Sequence, residues 1–118
     1  MITLEIPRVP PSPNDLLGYH WRYRTQNSKV WRDEVYYALR AAGSKPRKPF
    51  LKARVEIDRR SRGVLDPDNL YGAMKPVIDG LRHAGVIEDD TPEHIELIVT
   101  QHREFKLPPR TLICVKPV

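Results

Sequence analysis

Residues 66–90, DPDNLYGAMKPVIDGLRHAGVIEDD, carry six acidic side chains against two basic ones, in a chain of net charge +5. Asp66 and Asp68 stand two positions apart. Pro67 between them pushes the backbone of Asp66 out of the helical region into an extended one. In extended chain, residues i and i+2 point to the same side, about 7 Å apart, so the spacing predicts that both carboxylates aim one way. Asp68 or Asn69 then falls where a helix N-cap is wanted. Carboxylates gathered without a cation repel one another. Hard divalent ions resolve this, because Mg²⁺ takes carboxylate oxygens and keeps waters for a substrate phosphate. Such an ion activates water and offsets charge on a phosphodiester, and a nearby lysine adds to that stabilisation.

Helical spacing decides which residues share a face. From Asp68 or Asn69 a helix is expected to run to about His83 and end at Ala84-Gly85. Its apolar stripe is Leu70, Met74 (or Ala73), Val77 (or Ile78) and Leu81. A second stripe, Asp68, Gly72, Lys75, Asp79 and Arg82, is polar and holds two of the acids beside the lysine. Pro76 removes a hydrogen bond inside this helix, which predicts a kink or a restart there. The same residues also admit a purely structural use. Asp68 and Asn69 then cap the helix, Asp79 pairs with Lys75 or Arg82, and Asp90 caps a turn at Thr91-Pro92-Glu93 with capping-box spacing. The ligands that would complete an EF-hand loop are absent from the sequence.

DPDN, a lysine four residues before an aspartate in KPVIDGL, then AGVIEDD and an alternating strand together resemble the RusA family of Holliday-junction resolvases. The likeness extends to the front of the chain, where a strand leads into PPSPN, a basic aromatic loop and a helix, so it covers most of the sequence. It implies a homodimeric endodeoxyribonuclease of bacteria and their prophages that binds four-way DNA junctions and cuts them symmetrically. It also implies Mg²⁺, with Mn²⁺ as a substitute, held by aspartates. Carried over by position, the metal ligands are Asp66, Asp68 and Asp90, and Lys75 joins them as a catalytic residue. Asp79, Asp89 and Asn69 take supporting roles. The pattern departs from the family's at one place. Lys75 follows Asp68 by seven residues rather than one helical turn, with Tyr71-Gly72-Ala73 as the excess. A helix that folds back at Pro76 is what would restore the distance.

The elements that must position these residues are legible from periodicity. ITLEI (2–6) alternates as a strand, and the next twelve residues carry four prolines and read as loop. HWRYRTQ continues as a basic, aromatic loop, and Ser28 or Asn27 caps a helix running to about Ala42. Trp31, Val35, Ala38, Leu39 and Ala42 are its inner face, and Gly43 its terminator. Leu51, Ala53, Val55 and Ile57 face inward along the clearest strand, with RRSRG as a basic turn after it. Ile95–Gln101 and Thr111–Val115 complete the set. The order β-α-β-α-β-β predicts a single α/β domain of the α+β type, a small mixed sheet of about four strands covered by two helices.

Charge is unevenly spread. Up to Val64 fourteen Lys/Arg stand against six Asp/Glu, a balance of +8, and from Leu65 onward the balance is −3. Such asymmetry points to a polyanion, nucleic acid before a membrane surface. Arg22 and Arg24 interleave with Tyr19, Trp21 and Tyr23 in a pattern suited to phosphate contact and base stacking. His20, Lys45, Arg47, Lys48, Arg59, Arg60 and Arg62 are further candidate DNA contacts, although clusters of this kind also serve as plain solvated surface. Trp31 reads as core, as does Cys114, the single cysteine, which leaves no internal disulfide or cysteine zinc site. No apolar run approaches the roughly 20 residues of a membrane span, and the first residues lack a signal-peptide pattern, so no membrane partner and a cytoplasmic setting are expected. Branched DNA is thus the expected partner. A DNA-binding protein of this fold without cleavage, a nuclease for flaps or forks, and a protein-interaction module are the alternatives.

Overall fold

A computed structural model describes residues 1–13 and 21–118, without the side chains of Trp21 and Arg22. The elements are β1 (Ile2–Ile6), α1 (Trp21–Ala42), β2 (Ala53–Ser61), α2 (Pro67–His83), β3 (Ile95–Arg103) and β4 (Arg110–Pro117). The four strands form one mixed sheet in the order β1-β4-β2-β3. β4 is antiparallel to both β1 and β2, whereas β2 and β3 are parallel, with Ala53 opposite Ile95. A parallel pair needs a crossover, and α2 supplies it.

Alternation makes the sheet one-sided. Ile2, Leu4 and Ile6 of β1, Ala53, Val55 and Ile57 of β2, Ile95 of β3, and Ile113 and Val115 of β4 are buried on one face. They join Trp31, Val35 and Leu39 of α1 and Leu70, Met74, Val77, Ile78 and Leu81 of α2 in a single core. Each such side chain contributes roughly 1.5–3 kcal/mol by leaving water. Trp31 is in the core as expected, at 1% exposure. Three inward expectations fail. Ala42 is exposed, because it lies in the last turn of α1, beyond the buried Leu39. Leu51 is 64% exposed, because β2 starts at Ala53. Cys114 points to the other face and is half-buried, since its neighbours Ile113 and Val115 take the inward positions.

The helix ends follow local chemistry, with two corrections. Residues 21–26, expected as loop, belong to α1, and Ser28 and Asn27 lie inside it rather than capping it. No proline or glycine interrupts Trp21–Ala42, and Ser or Asn inside a helix costs only a few tenths of a kcal/mol relative to better formers. Gly43 ends α1 at φ 63°, with its N–H shared between Leu39 and Arg40 carbonyls. In α2 the N-cap is Asp66, not Asp68 or Asn69. Its backbone is extended (φ −65°, ψ 163°), and its carboxylate accepts from the Asn69 N–H. Pro67 takes the first helical position, where a missing N–H is harmless. The helix then runs through Pro76 to His83 without the expected restart. It closes in a Schellman motif, with Val86 N–H donating to Leu81 O (3.0 Å), Gly85 N–H to Arg82 O (3.1 Å), and Gly85 at φ 81°.

Gly80 is where the helices meet. A Cβ there would stand 3.1 Å from the Trp31 carbonyl oxygen and 3.1 Å from Val35 Cγ2. Glycine thus sets how closely α1 lies on α2.

Candidate functional site

Three long-range contacts fix the start of α2. Leu65, just before the cap, is clamped by the amide of Gln101 on β3, which accepts from Leu65 N–H (2.9 Å) and donates to Leu65 O (2.7 Å). Asp66 Oδ1 accepts from Asn69 N (2.8 Å) and Oδ2 from Asn69 Nδ2 (3.0 Å). Ser12 Oγ of the front loop donates to Asn69 Oδ1 at 3.1 Å, and Pro13 sits over Gly72, where a Cβ would come within 2.8 Å of Pro13 Cγ. Gly72 on the polar stripe leaves room for a close neighbour, as its lack of a side chain predicts, and that neighbour is Pro13; Gln101 and Ser12 were not singled out for positioning. Gln101 could have been, as a polar side chain at an inward position of β3, where Ile95, Leu97 and Val99 precede it.

Asp68 lies in the first turn, exposed, and makes no hydrogen bond or ion pair among the described residues. Because it is helical, it is no longer the extended i+2 partner of Asp66. An acid in that turn also favours the positive end of the helix dipole.

Two turns further on, Lys75 Nζ lies 3.8 Å from Asp79 Oδ1 and 3.6 Å from Asp90 Oδ2. Seven helical residues separate Lys75 from Asp68, a rise of about 10.5 Å on nearly the same face. Asp90 arrives from beyond the helix because the segment after it is pinned. Phe50 N–H donates to Val86 O (2.9 Å) and Glu88 N–H to Phe50 O (3.0 Å), a one-residue parallel bridge between Phe50 and Ile87. Asp90 does not act as a capping-box residue. The turn at Thr91 is closed by His94 and Ile95 N–H groups on the Thr91 carbonyl, and the Asp90 carboxylate faces Lys75. Asp89 Oδ1 accepts from Asp90 N–H at 2.8 Å, which holds the Asp89 carboxyl below the usual range.

The structure therefore gathers the expected residues in two groups along α2, Asp66 with Asn69 at its start and Lys75 with Asp79 and Asp90 two turns on, with Asp68 in neither. Asp66, Asp68 and Asp90 are hard oxygen donors of the kind Mg²⁺ prefers. All three keep access to water. Among the described residues, no three His, Cys, Asp or Glu side chains form a group placed to hold one ion. A cleft of about 240 Å³ beside Lys75 and Asp79 is bordered by Pro13 and by Arg24, Asn27 and Ser28 of α1.

The expected DNA contacts divide. Arg24 is exposed on α1, and Arg62, Lys45, Arg47 and Lys48 are exposed in turns and linker. His20 and the side chain of Arg22 lie outside the described residues. The trio expected in a basic turn is split, because β2 continues through Ser61 and sends neighbours to opposite faces. Arg59 is turned inward at 7% exposure and donates to Gly63 O (3.0 Å), bracing the turn. Arg60 lies on the outer sheet face and donates to Asp58 Oδ2 at 2.8 Å. Asp58 Oδ1 also engages Thr100 Oγ1 (3.0 Å) and His102 Nδ1 (2.8 Å). Burial pushes the Asp58 carboxyl up, but the hydrogen bonds from Arg60, His102 and Thr100 outweigh it and hold it below the usual range.

No family model matches the chain, and no curated protein matches it. No helix among the described residues is long and apolar enough to cross a membrane.

Proposed function

We propose that this chain is a Mg²⁺-dependent endodeoxyribonuclease of the RusA type, which resolves four-way DNA junctions by paired symmetric nicks. The observation that carries the reading is the Lys75 ammonium held between Asp79 and Asp90, on the helix that begins with Asp66 and Asp68. This arrangement returns Asp90, more than twenty residues from Asp66 in sequence, to the acidic helix. Asp66, Asp68 and Asp90, which do not surround one point in this structure, would draw together to hold Mg²⁺ or Mn²⁺, whose chemistry is an activated water and neutralised phosphate charge. Lys75 is 70% exposed and can turn its charge toward a phosphate while Asp79 keeps its base in place. Arg24, which borders the cleft beside Lys75, offers a phosphate contact, and Arg62 is exposed in the turn that leads to Asp66. A homodimer fits, since two sites related by a two-fold axis match the symmetry of paired nicks. A bacterial or prophage-encoded protein of the cytoplasm is the setting this activity implies.

A second reading has an observation in its favour. Asp66 serves as a cap and Asp90 as a partner of Lys75, so a DNA-binding protein of the same fold could use these acids structurally. Flaps or forks as substrate form a third possibility. Incubating a labelled four-way junction, a fork and a linear duplex with Mg²⁺ separates them. Paired symmetric nicks in the junction, lost in Asp68→Asn with binding retained, are the expected result. Junction binding without cleavage in either Mg²⁺ or Mn²⁺ would sink the nuclease reading.

A further inference from the structure

The outer side of α1 carries a row of cations that begins at the candidate centre with Arg24 and runs well beyond it. Arg24, Lys29, Arg32 and Arg40 are all exposed, and Lys45 continues the row past Gly43. Among the described residues none of these five is in an ion pair. Several bases on the sheet are paired internally. On the outer sheet face Arg54 meets Glu96, Arg60 meets Asp58, and Arg110 meets Glu5 and Glu104. The α1 row, by contrast, presents five exposed cations with no such acidic partner among the described residues.

These cations line three neighbouring depressions that follow one another along α1 as a stepped groove. The cleft beside Lys75 and Asp79 shares Ser28 with a larger depression of about 660 Å³ that holds Lys29, Arg32 and Tyr36. Tyr36 in turn belongs to a third depression with Arg40 and Lys45. Asp33 and His83 also border the middle one, and Asp33 is the only acid in the second and third depressions. Arg24 to Arg40 is sixteen residues, about 24 Å of helix, which matches roughly seven base-pair steps of 3.4 Å. Its apolar lining is broken into small pieces, Pro11, Pro13, Ala73 and Pro76 at one end and Tyr36, Leu39 and Ala84 at the other, and the cations recur between them.

We propose that this groove is the seat of one duplex DNA arm, held by its phosphate backbone and led toward Lys75. What happens at the Lys75 end rests on the nuclease reading; the binding itself does not. The test compares wild type with Arg32→Gln/Arg40→Gln, and with Arg54→Gln/Lys116→Gln on the outer sheet face as control. Binding to a labelled four-way junction is measured without divalent metal from 50 to 300 mM salt, with circular dichroism to verify folding. Each phosphate contact adds about 0.9 to the salt slope, so the groove variant should be shallower by about 1.8. If the curves meet at 1 M, that is about 60-fold weaker binding at 0.1 M. The control should match wild type. A groove variant with the wild-type slope and affinity overturns the proposal, as does a control that loses as much. Wild type that binds vesicles of anionic lipid but no DNA overturns it together with the nuclease reading. Wild type that binds through the groove yet never nicks in Mg²⁺ or Mn²⁺ leaves the groove standing and removes only the nuclease.

Discussion

Replacing Asp66 by asparagine and by alanine separates its structural role from its proposed chemical one. The carboxylate caps α2 through Asn69 N (2.8 Å) and holds the Asn69 amide (3.0 Å). Asparagine caps a helix about as well as aspartate, whereas alanine loses roughly 1 kcal/mol. Loss of the negative charge at the helix start removes about 0.5 kcal/mol more in either variant, at the low end of the dipole effect because the site is exposed. Alanine should therefore cost about 1.5 kcal/mol and asparagine about 0.5 kcal/mol. For a chain of this length the unfolding entropy makes 1 kcal/mol worth about 4 °C. The expected Tm losses are thus about 6 °C for Asp66→Ala and about 2 °C for Asp66→Asn, read by calorimetry at pH 7. Junction cleavage should be lost in both. Equal Tm values for the two variants would refute the capping argument. Full cleavage by Asp66→Asn would refute the assignment of Asp66 as a metal ligand, whatever its Tm.

Gly80→Ala sets a helix-propensity gain of about 1 kcal/mol against overpacking of about 1–3 kcal/mol. With a backbone oxygen and a buried valine both at 3.1 Å, the net should be a loss of about 1 kcal/mol in urea titration. Gly72→Ala should instead push Pro13 off α2, with cleavage of the front loop by a protease accelerated and Tm little changed. Asp58 has a lowered carboxyl pKa in the fold, so its stabilisation is complete above the unfolded value near 4 and disappears as pH falls through the lower folded value. Asp58→Asn should accordingly be about 1 kcal/mol less stable at pH 7, with the deficit shrinking below pH 4; a deficit that grows on acidification would contradict the hydrogen-bond assignment. Lys75→Met should alter stability by less than about 0.5 kcal/mol, because the lysine is largely exposed, while slowing junction cleavage in Mg²⁺.

Periodicity carried much of the fold. The alternation of Ile2, Leu4 and Ile6, or of Ala53, Val55 and Ile57, states which face of a strand is apolar, and the core uses those residues. Gly43 and Gly85 mark helix ends because their positive φ values suit a residue without a Cβ. The clustering of six acids in residues 66–90 was likewise written in the chain. Cap assignment was less legible. Asp66, Asp68, Asn69, Asn27 and Ser28 all have capping chemistry, and only the pairing of the neighbouring elements selects among them.

What the sequence alone determined is therefore local: element type, inward face, terminators, and the residues available for chemistry. Tertiary structure decided the neighbours. It made β2 and β3 parallel, continued β2 far enough to turn Arg59 inward and Arg60 outward, and clamped Leu65 to Gln101 across the sheet. It also brought Asp90 to Lys75 through the Phe50–Ile87 bridge. The physical reason is that a residue's face depends on its nearest neighbours along the chain, with a period of 2 or 3.6. Which faces meet depends instead on backbone pairing between segments dozens of residues apart, and no local pattern encodes that.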